Sequence, residues 1–203
     1  MTGTLPRNHA TVRLARIISV VGHPFLLMPL LTAIVAFHLL PASEAIVVEL
    51  IALGVVIVPS GVYTIIRVRR GTWNDLDVSD QHQRGQFYAV LLPLLLVVAV
   101  ISWMSNVPRA IPLGALGIVT LVAAAFFLNR WVKLSLHTGF GIFAAETLFL
   151  FRPFWAVAVF ALALLVGWSR IALGRHVFTE VFFGGLLGAI VGIACVFSIS
   201  FLD

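Results

Sequence analysis

Apolar runs of bilayer length follow one another with only short polar interruptions, which limits this chain to a membrane-embedded bundle of helices. A helix crossing the hydrocarbon core needs about 20 apolar residues, and fewer where one end is sunk in protein. About seven runs meet this description: Ile17–Leu40, Ala45–Ile66, Phe87–Met104, Ile111–Leu128, Thr138–Phe151, Phe154–Trp168 and Val177–Phe201. The fifth and sixth are short and separated by Arg152-Pro153, so this hairpin either crosses fully or re-enters. The expected fold is an all-α polytopic transmembrane bundle of about six or seven spans. Residues 1–203 read as a single unit, without a domain boundary, low-complexity tract or internal repeat.

A chain that is 61% hydrophobic and only 10% charged is no ordinary soluble domain. Its net charge of +5 comes from arginines at the ends of apolar runs, with Lys133 the one lysine. Nucleic-acid binding is not expected, because no basic patch interleaved with aromatics stands on a soluble module. Cys195 is the sole cysteine and excludes an intrachain disulfide.

If every run crosses, Arg7, Arg13, Arg16, Arg67, Arg69, Arg70, Arg84, Arg130, Lys133, Arg170 and Arg175 share one side, opposite Arg109 and Arg152. The positive-inside rule makes the richer side cytoplasmic, with the N-terminus on it. The basic start before a long first run reads as a retained signal anchor.

Polar residues inside such a chain are costly and are either interfacial anchors or functional. They concentrate in Ser169–Gly185, SRIALGRHVFTEVFFGG. His176 and Glu180 stand four apart, on one face of a helix expected to begin near Val177. A carboxylate so placed holds the imidazole in one tautomer, while Arg170 and Arg175 supply donors for a phosphoryl group. The alternative is an interfacial cluster in which the arginines anchor a helix end and the histidine faces headgroups.

The spacing resembles the third signature of the type 2 phosphatidic acid phosphatase superfamily, S-R-x5-H-x3-D, with Glu180 in place of the aspartate. Lys133, Ser135 and His137 look like the second signature in a K-x-S-x-H form, with Leu134 and Leu136 replacing its proline and glycine. Ser-x-His at a helix start also fits an N-cap beside an interfacial histidine. Aligning Arg84 with the arginine of the first signature, K-x6-R-P, puts Asp77 where its lysine belongs and Gly85 where its proline belongs, so Arg84 alone carries over. The resemblance covers about half the chain, residues 84–185.

That resemblance implies a metal-independent, cofactor-free phosphatase. His176 attacks phosphorus and forms a phosphohistidine, Glu180 orients it, and His137 protonates the departing oxygen before activating water. Lys133, Ser135, Ser169, Arg170 and Arg84 bind the phosphoryl oxygens. The implied partners are membrane lipids and a lipid or polyprenyl phosphate or diphosphate substrate. The arginine-rich composition fits a prokaryotic inner or plasma membrane, with the site on its cytoplasmic side.

Two other readings remain open at this stage. Asp75, Asp77 and Asp80 are also candidates for holding magnesium on a diphosphate, as in an intramembrane prenyltransferase or cyclase. Asn74-Asp75 starts that family's N-D-x2-D-x3-D motif, but the later spacing departs from it. A non-enzymatic membrane protein is the third. His23 and His38, in the first run, read as packed or interfacial, and Pro59-Ser60-Gly61 reads as a proline kink beside a small-residue contact. Stepping by four from His176 gives Glu180, Gly184, Gly188 and Gly192, a ridge expected to press on the fifth span at Gly139, Gly141, Ala144 and Ala145 or to form a homo-oligomer face.

Overall fold

Local backbone chemistry divides the apolar runs into helices. The computed structural model describes residues 9–202, so Arg7, one of the cations assigned to the basic side, lies outside them. The first run is broken: α1 spans His9–Val21 and α2 spans Pro24–Leu39, with a 43° bend between them. Pro24 has no amide hydrogen and suits only a first helical turn, and the His23 ring caps the new start by accepting the Phe25 amide at 3.1 Å. At Gly22 a side chain would collide with Val166, which fixes the bend against a later helix.

The second run is continuous but irregular. Helix α3 (Ala42–Ala52) widens into a π-helical turn over Leu53–Ile57 and resumes as α4 (Val58–Arg69). The irregularity expected at Pro59 thus falls just ahead of it, where a wider turn accommodates a residue unable to donate to the preceding turn. Helix α5 (Gln81–Met104) is capped by Asp80, whose side chain accepts the His82 and Gln83 amides at 2.9 Å. Helix α6 (Ala110–Leu128) returns, and the Asn129 amide group bonds the Gln81 carbonyl at 2.9 Å across the two ends.

Helix α7 (Leu136–Phe151) is the centre of the bundle, buried along most of its length. Its 16 residues give it a length of roughly 24 Å, short for a span exposed to lipid. Helix α8 (Pro153–Ala172) follows after Arg152, and α9 (Phe178–Leu202) closes the chain. Among the described residues five helices are long and apolar enough to cross a membrane, and up to six if α1 and α2 form one broken span. The fifth expected run falls below that length because α7 is sheltered by α2, α8 and α9 and needs no full lipid-facing belt. The helical, membrane-embedded character read from the sequence holds.

The glycine ridge of α9 does face α7. A Cβ at Gly184 would meet the Ser135 backbone, one at Gly188 the Gly139 backbone, and one at Gly192 the Glu146 side chain. Gly139 receives the ridge, whereas Gly141 turns to Ala163 of α8.

Candidate functional site

Three connecting segments meet at one end of the bundle, and the helix starts they lead into point their polar groups at one another. The 70–80 segment delivers Asp75 and Asp77, the 129–135 segment Lys133 and Ser135, and the 173–177 segment Arg175 and His176. Helix ends deliver the rest: Arg84 from the first turn of α5, His137 from that of α7, Arg170 from the last turn of α8 and Glu180 from the first turn of α9.

His176 sits before α9 begins, not on it as expected, and is 5% exposed. Its Nδ1 lies 2.8 Å from Oε2 of Glu180, so the extra methylene of glutamate reaches the ring. The same oxygen accepts the Val177 amide at 3.2 Å, which fixes the carboxylate in place. A carboxylate on Nδ1 selects the tautomer with the proton there and leaves the Nε2 lone pair free. Burial first, then the charges of Arg84, Arg170 and Lys133, hold the imidazole well below its ordinary pKa of 6.5 and keep it neutral. A hydrogen bond with the Lys133 backbone acts in the opposite direction.

Arg170 is the largest wholly buried side chain, at 0% exposed. Its Nη1 donates to Ser19 of α1 at 2.9 Å and to Asp77 Oδ2 at 2.7 Å. Its Nε and Nη2 are buried without a partner among the described residues, and so is Nε2 of His137. Buried donors left without a partner are expensive, and Arg170 leaves two on a single guanidinium. Arg175 also contacts Asp77, and reaches towards Asp75 at 3.9 Å.

The other expected phosphate ligands divide. Arg84 is buried and donates from Nη1 to the Leu134 carbonyl at 2.6 Å, which carries it to the second-signature segment. Lys133 donates to the Arg175 carbonyl at 2.8 Å, and partial burial holds its ammonium below the usual lysine range. Ser135 pairs with the Thr138 hydroxyl at 3.2 Å, and its amide bonds the Glu180 carbonyl at 3.0 Å, joining the two signature segments. Ser169 is wholly buried with its hydroxyl turned back to the Val166 carbonyl at 2.7 Å, so its side chain supports α8. Arg84, His137 and His176 share the wall of one cavity with His23 and Asp77.

His23 was not marked as a site residue by the sequence, and Asp77 was marked only as a candidate magnesium ligand. The ring of His23 stacks edge-on against His137 with centroids 4.8 Å apart, and its Nε2 faces Asp77 at 3.7 Å. The signal available was a histidine-proline break inside an otherwise apolar run. His38, by contrast, packs edge-on against Phe151 at the far end of α2.

Ligand-capable atoms of His23, Asp77 and His137 lie within 4.8 Å of one another, a spacing a metal ion could bridge. His23 accepts the Phe25 amide through Nδ1, which places its proton on Nε2 and removes that nitrogen's lone pair. Asp77 is engaged by Arg170 and Arg175, whose charges repel a cation. Asp80, the last member of the aspartate loop, is used as the cap of α5. The donor set does not fit a metal ion. Comparison with protein-family models, curated proteins and solved structures finds no match.

Proposed function

We propose that the chain is an integral-membrane phosphatase that hydrolyses a lipid or polyprenyl phosphate or diphosphate through a phosphohistidine. The observation that carries this reading is the pairing of a neutral, carboxylate-oriented His176 with the unpartnered Nε and Nη2 of buried Arg170 in the same polar cluster. A nucleophile with a free lone pair and anion donors without an anion match the needs of phosphoryl transfer.

The Nε2 lone pair of His176 attacks phosphorus, and the bond from phosphorus to the departing oxygen breaks with its electrons going to that oxygen. His137, protonated once the negative charge of the phosphate lies beside it, gives that oxygen a proton. It then takes one from water as the water oxygen attacks phosphorus, which releases phosphate and restores His176. Glu180 keeps the Nδ1 proton in place and stabilises the positive charge that develops on the ring. Arg170 and Arg84 take the non-bridging oxygens, with Lys133 and Arg175 adding positive potential at the rim. Ser135 contributes by fixing the start of α7, and Ser169 by fixing the end of α8.

The site end of the bundle also carries Arg13, Arg16, Arg67, Arg69, Arg70 and Arg130, so the proposed orientation puts it on the cytoplasmic face of a prokaryotic inner or plasma membrane. The test is phosphate release by detergent-purified protein from a panel of lipid phosphates and diphosphates, with and without EDTA, beside His176→Ala. The expected result is release that persists in EDTA and disappears in the variant. Release that EDTA blocks and His176→Ala retains would overturn the mechanism and return the aspartate loop to consideration.

A further inference from the structure

The cavity that begins at His137, His176 and Arg84 does not end there. It continues between α2, α3, α5, α6 and α7 to Ser102, Val107 and Gly114. From Arg84 to Ser102 along α5 is roughly 27 Å at the helical rise per residue. The hydrocarbon core of a bilayer is about 30 Å thick, so one leaflet supplies about half of that. Beyond the ionisable end the walls are apolar, with Met28, Leu91 and Phe143 among them.

Resting on the phosphatase reading for its headgroup, we infer that this cavity holds an apolar tail that runs from the site past the bilayer midplane, and that it selects long-tailed phosphates over short-tailed ones. Acyl chains of a diacyl lipid reach only through their own leaflet, about half the length of this passage. Inside a bilayer, leaving lipid for protein brings no gain from escaping water, so the selectivity comes from filling a passage that otherwise lacks contacts along its length. Gly114 lines the far part of the passage. It lies roughly 21 Å along α6 from the site-side residue Leu128, and a Cβ there meets nothing within 4 Å. A larger residue at this position shortens the passage without displacing a neighbour.

The test uses full-length protein in diacyl-lipid nanodiscs with two alkyl monophosphates, dodecyl and tetracosyl, each carrying a photoreactive diazirine at the tail tip. Labelled peptides are mapped by mass spectrometry in the His176→Ala background, where no turnover consumes the probe. The tetracosyl tip is expected to label the segment around Ser102–Ala115, and the dodecyl tip α5 nearer the site. Gly114→Phe, with Ser102→Leu as a second plug from the opposite wall, should withdraw the long-chain label and leave the short-chain label in place. In the active protein the same plugs should lower the preference for tetracosyl over dodecyl phosphate about tenfold, the scale of a lost methylene fit. Gly54→Phe, at an exposed position of the π-helical turn that does not itself line the cavity, is the control. Labelling confined to lipid-facing residues such as Phe160 or Ile190, or labelling indifferent to both plugs, would overturn the tail passage. Absence of phosphate release with cavity labelling intact would overturn the phosphatase reading instead.

Discussion

Oδ2 of Asp77 lies 2.7 Å from Nη1 of the wholly buried Arg170. A carboxylate of the protein's own loop thus holds one donor of the guanidinium that the proposed substrate needs. Its negative charge stabilises Arg170 when no phosphate is bound and competes when one arrives. Asp77→Asn should therefore weaken the unliganded protein, by a sizeable part of the roughly 3–5 kcal/mol seen when a buried pair loses one partner. It should also tighten binding of inorganic phosphate. Thermal melts with and without phosphate check both, and the phosphate-induced rise should be larger in the variant than in the parent.

The two histidines have different places in the proposed reaction, and their losses should differ in kind. His176→Ala should abolish turnover, because no other side chain offers a lone pair held in the same way. His137→Gln should leave a slow reaction, down by about 10²–10⁴-fold in kcat with a smaller change in KM, the usual range for a general acid and base. The loss should shrink on a substrate whose leaving group needs no proton. A phosphorylated intermediate accumulating in His137→Gln on such a substrate, preserved by an alkaline quench because phosphohistidine is labile in acid, would confirm the division; its absence there would refute it.

The neutral His176 also makes stability depend on pH. Its pKa is lowered in the folded chain, so below its ordinary value of 6.5 the unfolded chain binds a proton that the folded chain refuses. Stability is therefore fully kept above about pH 6.5 and falls as the pH drops through the window beneath it. His176→Gln cannot titrate there. Its melting temperature should fall less than the parent's between about pH 7 and pH 5, and equal slopes would show that the imidazole is not held neutral.

At the α7–α9 seam, Gly188→Val places a side chain against the Gly139 backbone, which cannot rotate away as a side-chain tip can. The cost should exceed the roughly 1–3 kcal/mol typical of overpacking. Activity should fall with it, since the seam sets the distance from His137 to His176. Gly85→Ala, at a position where a Cβ meets nothing within 4 Å, should be tolerated. Melting temperature and specific activity of the two variants give the comparison.

Much of the helical architecture was legible because hydropathy and helix punctuation act locally. Pro59 and Pro153 marked an irregularity and a start, and the four-residue step from Glu180 to Gly192 marked the face that packs, whereas the break at Pro24 was read through as part of one run Ile17–Leu40. The approach of Arg84 to Leu134 and of Ser135 to Glu180 followed from the parity of crossings, which returns the three loops to one end. The role of His23 was not legible, because its neighbours His137 and Asp77 are distant in sequence and meet it only through the α1–α2 bend. Asp77 was misleading for a related reason. Aligned to a signature it filled the place of a lysine, whereas in three dimensions it balances arginines drawn from elsewhere. Ser169 matched its signature by residue type, but only the fold determines that its hydroxyl turns inward to Val166.

The glycine seam divides the labour of the molecule between two kinds of tolerance. Along α7 and α9 backbone rests on backbone, so the aim of His176 depends on positions where almost nothing but glycine fits. The walls of the passage on α2, α5 and α6 are built from interchangeable aliphatic and aromatic side chains. Lineages of such a chain can retune which tail they accept, one wall residue at a time, while the chemistry at the other end stays in register.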